Sequence, residues 1–254
     1  MAQIALVTGA TSGIGEACAR IFAEQKFDLI ITGRRRDRLE KLSHELKAVY
    51  GVDVVALTMD VRDSSQVKDQ LDALKEHWKK VDVLVNNAGL SQGLEPIQDG
   101  AFGDWDTMID TNIKGLLYVT KVVSGWMVER MSGHIVNLGS IAGKETYANG
   151  NVYCATKHAV DSLNKAMRID LLPYNIRVTG IHPGAVETEF SEVRFKGDKE
   201  RAKKVYQGFD PLTARDIAET IWFAVSRPAH VNISDLLIMP TAQATAGNIK
   251  RITE

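Results

Sequence analysis

Short apolar, often β-branched runs alternate with longer stretches of helical periodicity along the chain. The apolar runs lie at 4–7, 29–32, 54–58, 83–85, 135–138, 177–181 and 236–239. Several are hydrophobic on both faces, as strands of a parallel sheet covered by helices must be. Amphipathic stretches at 16–25, 38–49, 66–78, 105–131, 152–172 and 214–226 fall between them. This alternation predicts an α/β fold of the Rossmann type, a single domain over 1–254 built on a doubly wound parallel sheet of about seven strands flanked by helices. One segment breaks the rhythm. Roughly thirty charge-rich residues, 183–212, separate the sixth apolar run from the next helix. A connection of that length in a compact domain is usually functional, so 187–212 is expected to be a substrate lid with a short helix at 199–206. The polar tail, 244–254, is expected either to be mobile or to dock on a neighbouring subunit.

Composition narrows the class of protein. With 44% hydrophobic and 25% charged residues the chain is globular, and a net charge of −1 gives no general attraction to nucleic acid or anionic membranes. The first residues, MAQIALVTG, lack a basic leader and run from a strand into a turn, and no apolar run approaches the roughly 20 residues a membrane span needs. A cytoplasmic location is expected. Cys18 and Cys154 stand alone and read as small apolar residues within helices. No metal site is expected. His182 precedes Pro183 without a cysteine or carboxylate set around it, and His134 and His158 read as surface or packing residues.

Candidate chemistry begins after the first strand. Thr8-Gly9-Ala10-Thr11-Ser12-Gly13-Ile14-Gly15 leads directly into a helix. In that setting Gly9 suits a tight turn, Gly13 a close approach to phosphate, and Gly15 the packing of helix on strand, while the helix N-terminus offers its N–H groups to a pyrophosphate. Thr11, Ser12 and Ile14 share that loop. At the second strand end, where NAD-preferring sites carry an acid, this chain has Gly33-Arg34-Arg35-Arg36. Arg34 and Arg35 are the candidates for the 2′-phosphate of NADP, because an acid there would repel it. Asp60 and Val61 follow the third strand and are candidates for the adenine edge; Asn87, Ala88 and Gly89 end the fourth.

Tyr153 and Lys157, four residues apart in a predicted helix, share one face. A neighbouring ammonium favours tyrosinate, which would make the phenol an acid/base for alcohol–carbonyl interconversion. Such pairs also arise on any solvated helix. Ser140, just beyond the fifth strand, and Asn112, a polar residue inside a long apolar helix, supply the context that sets this pair apart.

Together TGATSGIG at 8–15, DV at 60–61, NNAG at 86–89, Asn112, Ser140, YCATK at 153–157 and PGAVET at 183–188 resemble the short-chain dehydrogenase/reductase family over essentially the whole chain. The resemblance implies that Tyr153 donates and accepts the proton. Lys157 would hold the nicotinamide ribose and lower the tyrosine pKa, Ser140 would orient substrate, and Asn112 would hold a water in a proton relay. Pro183, Gly184, Val186 and Thr188 would close over the nicotinamide carboxamide and the phosphates. It also implies a homotetramer in which the helices at 105–131 and 152–172 pair across a two-fold axis. DWDTMIDTN at 104–112, GNVY at 150–153, TEFSEVRFKGD at 188–198, PAHVNI at 228–233 and MPTAQ at 239–243 resemble the subgroup of NADP-dependent 3-hydroxy acid dehydrogenases, which oxidise serine, allo-threonine and related acids.

The charge of the expected lid agrees with an acidic substrate. From 194 to 204 it holds Arg194, Lys196, Lys199, Arg201, Lys203 and Lys204 against Asp198 and Glu200. Arg194, nearest the nicotinamide loop, is the candidate carboxylate clamp. Reduction of neutral aldehydes, ketones or diketones by the same residues is the enzymatic alternative. An NADP-binding regulator without activity is the other, and the presence of all four catalytic candidates weighs against it.

Overall fold

Seven strands form one all-parallel sheet in a computed structural model that describes residues 2–252. They are β1 (Ile4–Val7), β2 (Asp28–Gly33), β3 (Val54–Thr58), β4 (Val81–Asn86), β5 (Gly133–Leu138), β6 (Ile176–Pro183) and, after two short strands outside the sheet, β9 (Asp235–Ile238). Their order is β3-β2-β1-β4-β5-β6-β9. The runs 4–7 and 54–58 coincide with β1 and β3, 236–239 runs one residue past β9, and the rest stop one or two residues short of a strand end.

Successive side chains of a strand face opposite sides, which splits the core into two layers. Ala5 and Val7 of β1 pack with Cys18, Ala19 and Phe22 of α1 (Gly13–Glu24), Leu39, Leu42 and Leu46 of α2 (Arg36–Tyr50), and Ile217 and Ile221 of α9 (Ala214–Val225). Ile4 and Leu6, one residue out of phase, pack with α3 (Ser64–Asp72), α5 (Leu116–Glu129) and α6 (Asn151–Asp170). The doubly wound expectation holds, and both strand faces are apolar because both are covered.

Two predicted helices are broken. The stretch at 66–78 becomes α3, capped by the Asp63 carboxylate, followed by a separate turn at Glu76–Lys79. The stretch at 105–131 is α4 (Phe102–Ile109), a π-helical turn (Asp110–Gly115) and then α5. A π turn holds one residue more than an α turn and is often found at functional sites. Asn112 sits in it, and at its end Gly115 passes so close to the segment after β3 that a Cβ there would meet Val61 Cγ2 at 2.6 Å.

The segment 187–212 is tied at its base. Strands β7 (Val186–Glu187) and β8 (Leu212–Thr213) pair in parallel, Val186 with Leu212 and Glu187 with Thr213. Between them lie α7 (Phe190–Arg194), which hydrophobic periodicity does not announce, and α8 (Lys199–Lys204), the core of the expected helix at 199–206. As far as residue 252 the tail folds on its own chain. Ile252 N–H donates to Gly208 O at 2.7 Å, Lys250 N–H to Ala242 O at 2.8 Å, and Arg251 to Val205 O at 2.9 Å. Residues 253 and 254 lie outside the described part.

Candidate active site

A cleft of about 460 Å³ opens at the carboxyl ends of the strands, between β1 and β4 where the strand order reverses. Crossovers leave the sheet in opposite directions there, which makes a crevice for a ligand. The glycine turn forms one wall. Gly13 has φ +55°, a left-handed backbone open to glycine at little cost. A Cβ on Gly15 would lie 2.3 Å from Gly9 O, so only glycine lets α1 start this close to β1. Ser12, the N-cap of α1, makes no side-chain capping bond, which leaves the first-turn N–H groups facing the cleft for an anion. Thr8 Oγ1 accepts from the N–H groups of Asn87 and Ala88 at 3.0 Å each, and Asn87 Nδ2 donates to Thr8 O at 2.9 Å. These bonds lock the ends of β1 and β4 together.

Gly9, Thr11, Ser12, Gly13, Ile14, Arg34, Arg35, Asp60, Val61, Asn87, Ala88 and Gly89 all line the cleft, as do Pro183, Gly184, Val186 and Thr188. Gly15 lies behind it. Arg35 lies over the glycine turn, its Nε and Nη2 donating to Thr11 Oγ1 at 3.1 and 2.8 Å and its Nη2 to Ser12 Oγ at 2.7 Å. Arg36 turns outward and pairs with Glu40. The Asp60 carboxylate pairs with Arg62, with Nη2 2.6 Å from Oδ2; burial alone would raise its pKa, but Arg62 holds it below the ordinary value. An uncapped helix start, a left-handed glycine and guanidinium groups at the β2 end fit a dinucleotide that carries an additional phosphate.

The opposite wall carries the candidate chemistry. Tyr153, Lys157, Val160, Asn164 and Met167 share the buried face of α6 at helical spacing. Lys157 Nζ donates to Leu138 O at 2.8 Å and lies 6.0 Å from the Tyr153 ring centroid. Burial lowers the Lys157 pKa from 10.5 to about 8. Burial also pushes the Tyr153 phenol well above 10, with Arg194 and the Ser140 hydroxyl pulling it back. Arg194 acts on the same phenol, its guanidinium carbon 5.2 Å from the ring centroid. Ser140 Oγ lies within 3.5 Å of Pro183 O and accepts from Ala142 N–H at 3.1 Å.

Asn112 does not line the cleft. Its Oδ1 accepts from Leu90 N–H at 2.8 Å, and its Nδ2 donates to Leu90 O at 2.8 Å and to Thr156 Oγ1 at 3.0 Å. The π turn thus joins the segment after β4, which carries Asn87–Gly89, to the helix that carries Tyr153.

Arg194 projects from α7 among aromatic rings. Its guanidinium carbon lies 5.0 Å from the Phe190 centroid, Nη2 donates to Tyr147 Oη at 3.0 Å, and the buried Nε has no partner. Among the described residues no carboxylate pairs with it.

Several contributors were not read from the sequence. Tyr147 and Phe190 form the aromatic side of the pocket. Gln243 anchors the loop after β6, its Oε1 accepting from Ala185 N–H at 2.8 Å. A chain of buried amides, Asn86 to Asn137 to Asn164 with 2.9 Å at each step, fixes α6 to β4 and β5. Asparagines in otherwise apolar strands were the available signal for that chain.

Carboxylates do gather around His182, contrary to expectation. Its Nε2 lies 2.6 Å from Asp235 Oδ1 and 3.8 Å from Asp161 Oδ1. Lys144 Nζ already bridges those carboxylates, at 2.7 Å from Asp161 and 2.8 Å from Asp235, and supplies the positive charge they need. His134 is a buried packing residue whose Nε2 lies 2.7 Å from Thr179 Oγ1, with its pKa lowered to about 3 by burial and by Arg177. His158 lies on the exposed face of α6.

Comparisons place this geometry among known proteins. Residues 3–199 match the family model for short chain dehydrogenases. The chain is 49% identical over 246 residues to the NADP-dependent 3-hydroxy acid dehydrogenase of Salmonella typhi, covering 96% of this chain and 98% of that one. It is 46% identical over 245 residues to sulfoacetaldehyde reductase 2 of Chromohalobacter salexigens, covering 96% of each. A closed form of serine dehydrogenase complexed with NADP+ superposes with a TM-score of 0.91 at 48% identity, over 98% of this chain and 100% of that one.

Proposed function

The chain belongs to the short-chain dehydrogenase family, and on that premise we propose that this NADP-dependent oxidoreductase transfers hydride reversibly at the 3-hydroxyl of small 3-hydroxy acids such as serine or allo-threonine. The observation that carries the reading is Arg194. A half-buried guanidinium among Tyr147, Tyr153 and Phe190, whose Nη2 meets only a neutral phenol and whose buried Nε has no partner, calls for an anion. A carboxylate there would hold the neighbouring 3-carbon toward Tyr153 and Ser140. A 3-hydroxy acid and sulfoacetaldehyde, the compounds in the names of two relatives, share a small carbon frame with a fixed negative charge.

Bound NADP supplies or accepts the hydride. Tyr153 Oη takes the hydroxyl proton in oxidation and returns it in reduction, with Ser140 Oγ holding the same substrate oxygen. Lys157 Nζ, anchored on Leu138 O, holds the nicotinamide ribose. Asn112 fixes the Leu90 strand end against Thr156 and keeps one Oδ1 lone pair for a relay water. Gly9, Ser12, Gly13 and Ile14 hold the pyrophosphate; Arg34 and Arg35 hold the 2′-phosphate; Asp60 and Val61 border the adenine; Asn87, Ala88, Gly89, Pro183, Gly184, Val186 and Thr188 enclose the nicotinamide half. The segment 187–212 acts as the substrate lid. The reading includes a cytoplasmic homotetramer, supported by exposed Phe102, Ile109 and Leu117 along α4–α5 and Ile169 at the end of α6. No helix among the described residues is long and apolar enough to cross a membrane.

Arg194→Met tests the substrate class. Loss of a charged hydrogen bond worth about 1.5–3 kcal/mol should raise KM for serine roughly 10- to 100-fold while sparing turnover of a neutral ketone. An unchanged KM for serine would transfer the argument to neutral carbonyls.

A further inference from the structure

Four titratable side chains meet beside the reacting end of the cleft, each from a different segment. Lys144 lies four residues after Ser140, Asp161 four residues after Lys157 on α6, His182 immediately before Pro183, and Asp235 at the start of β9. Lys144 Nζ lies 2.7 Å from Asp161 Oδ1 and 2.8 Å from Asp235 Oδ2, and His182 Nε2 lies 2.6 Å from Asp235 Oδ1. Lys165, one turn along α6, takes the other Asp161 oxygen at 2.7 Å. Two lysines thus answer two carboxylates, and no charge is left for His182 to balance.

The imidazole is enclosed, with 1% of its side chain exposed. An ionised carboxylate has no proton to give, so Nε2 carries the ring proton toward Asp235 and Nδ1 is a bare lone pair. That Nδ1 is buried without a partner against the backbone of Gly139, where an added Cβ would lie 2.3 Å from it. Gly139 precedes Ser140, and its N–H donates to Ile181 O at 2.8 Å, so the ring fills the angle between the ends of β5 and β6. On the far side of the same turn, a Cβ on Gly143 would lie 2.5 Å from Lys157 O. The turn that carries Ser140 is therefore wedged between His182 and α6, and Ser140 Oγ faces Pro183 O at 3.5 Å.

We propose that His182 is a positioning residue for hydride transfer: kept neutral within the Lys144–Asp161–Asp235 cluster, its ring sets the spacing between Ser140 and Pro183, and its protonation spoils that spacing. The inference rests on the reading of Ser140 as the hydroxyl that orients substrate and of Pro183 as part of the nicotinamide enclosure. A second ring proton would place an N–H at Nδ1 with no acceptor, pressed on Gly139, and add a third cation beside Lys144 and Lys165. Among the described residues the charged groups around the ring are Asp161 and Lys165 from α6, Lys144 from the turn and Asp235 from β9. Burial, more than any of them, holds the His182 pKa below its ordinary 6.5; Asp235 and Asp161 oppose that shift, and Lys144 adds to it. A misplacement of about 1 Å can cost about 100-fold in rate, so a ring that shifts the Ser140 turn is felt in kcat.

The test follows kcat of the whole enzyme from pH 5 to 8, with serine and NADP+ and with a neutral ketone and NADPH. Wild type should lose turnover in a single-proton limb below about pH 6.5. Asp235→Asn removes the carboxylate that favours the protonated ring and should move the limb down by about half a pH unit or more. Lys144→Met removes the cation that opposes protonation and should move it up by about as much. His182→Gln keeps a donor toward Asp235 and cannot be protonated, so it should hold about a third or more of kcat at neutral pH and lose the limb. His182→Ala should lower kcat about tenfold or more while the Kd of NADP+ changes less than about threefold. No limb in wild type, a limb that persists in His182→Gln, one that ignores the two charge variants or moves the same way in both, or full kcat in His182→Ala would overturn the proposal. A purely structural role would lower Tm and activity together and leave the limb in place. Failure of the underlying reading looks different, because wild type would then turn over neither substrate at any pH.

Discussion

Lys157 is the site residue whose burial works most directly against folding. Its side chain is 7% exposed, its one hydrogen bond goes to Leu138 O, and no carboxylate pairs with it among the described residues. A pKa lowered from 10.5 to about 8 corresponds, at about 1.4 kcal/mol per pH unit, to roughly 3 kcal/mol against the protonated form. Lys157→Met keeps a long apolar side chain and removes that penalty. It also leaves Leu138 O without its donor, at a cost of about 1–2 kcal/mol. The net expectation near neutral pH is a gain of about 1–2 kcal/mol, or a Tm higher by a few degrees at roughly 2–4 °C per kcal/mol, with activity lost. The pH dependence makes this sharper. The folded pKa lies below the unfolded one, so unfolding takes up a proton between about pH 8 and 10.5. Wild-type stability then rises with pH through that window and is complete above it, and the variant's advantage shrinks as pH rises. Urea unfolding of both proteins at pH 7, 8.5 and 10, followed by tryptophan fluorescence without cofactor, measures this directly. A variant less stable than wild type at pH 7, or a gap that ignores pH, refutes the claim that an unpaired buried ammonium opposes folding here.

Two further substitutions separate the cofactor site from the scaffold. Arg35→Asp should weaken NADPH binding at least tenfold and leave NADH unchanged or tighter, read by quenching of protein fluorescence; equal losses for both cofactors would place the phosphate elsewhere. Asn112→Ala removes three buried hydrogen bonds, so it should lower stability by about 2–4 kcal/mol along with kcat, checked by denaturant melts and steady-state rates. A fall in kcat with unchanged stability would assign Asn112 to the relay alone.

The architecture was legible because it follows from periodicity. Ile4 and Leu6 face one layer and Ala5 and Val7 the other, so apolar character on both faces of a short run announced a covered parallel strand. The glycine turn was legible for the same local reason, since its backbone demands leave a mark in composition. The misses share a different cause. Periodicity ran straight through 105–131 because Asp110–Gly115 keeps helical spacing, and the π turn exists to bring Asn112 against Leu90 and Thr156, partners 22 and 44 residues away. Helix α7 was not announced because its five residues are shaped by what they touch, Phe190 against Tyr153 and Arg194 against Tyr147. The carboxylates around His182 come from α6 and β9, which only the folded sheet brings together.

The electrostatics of the cleft follow from those long-range contacts. Lys157 and Arg194 reach Tyr153 from different elements, α6 and α7, and neither has a carboxylate partner among the described residues. Arg35 and Arg38 gather positive charge at the far end, where Glu189 pairs with both. The cleft is therefore a run of cations under-compensated by the protein, suited to ligands that bring negative charge at both ends, a 2′-phosphate at one and an acid at the other. Burial makes Tyr153 a weak acid, and Arg194 is the cation that opposes this. A substrate carboxylate that neutralises Arg194 would withdraw that help and return the phenol toward its protonated form.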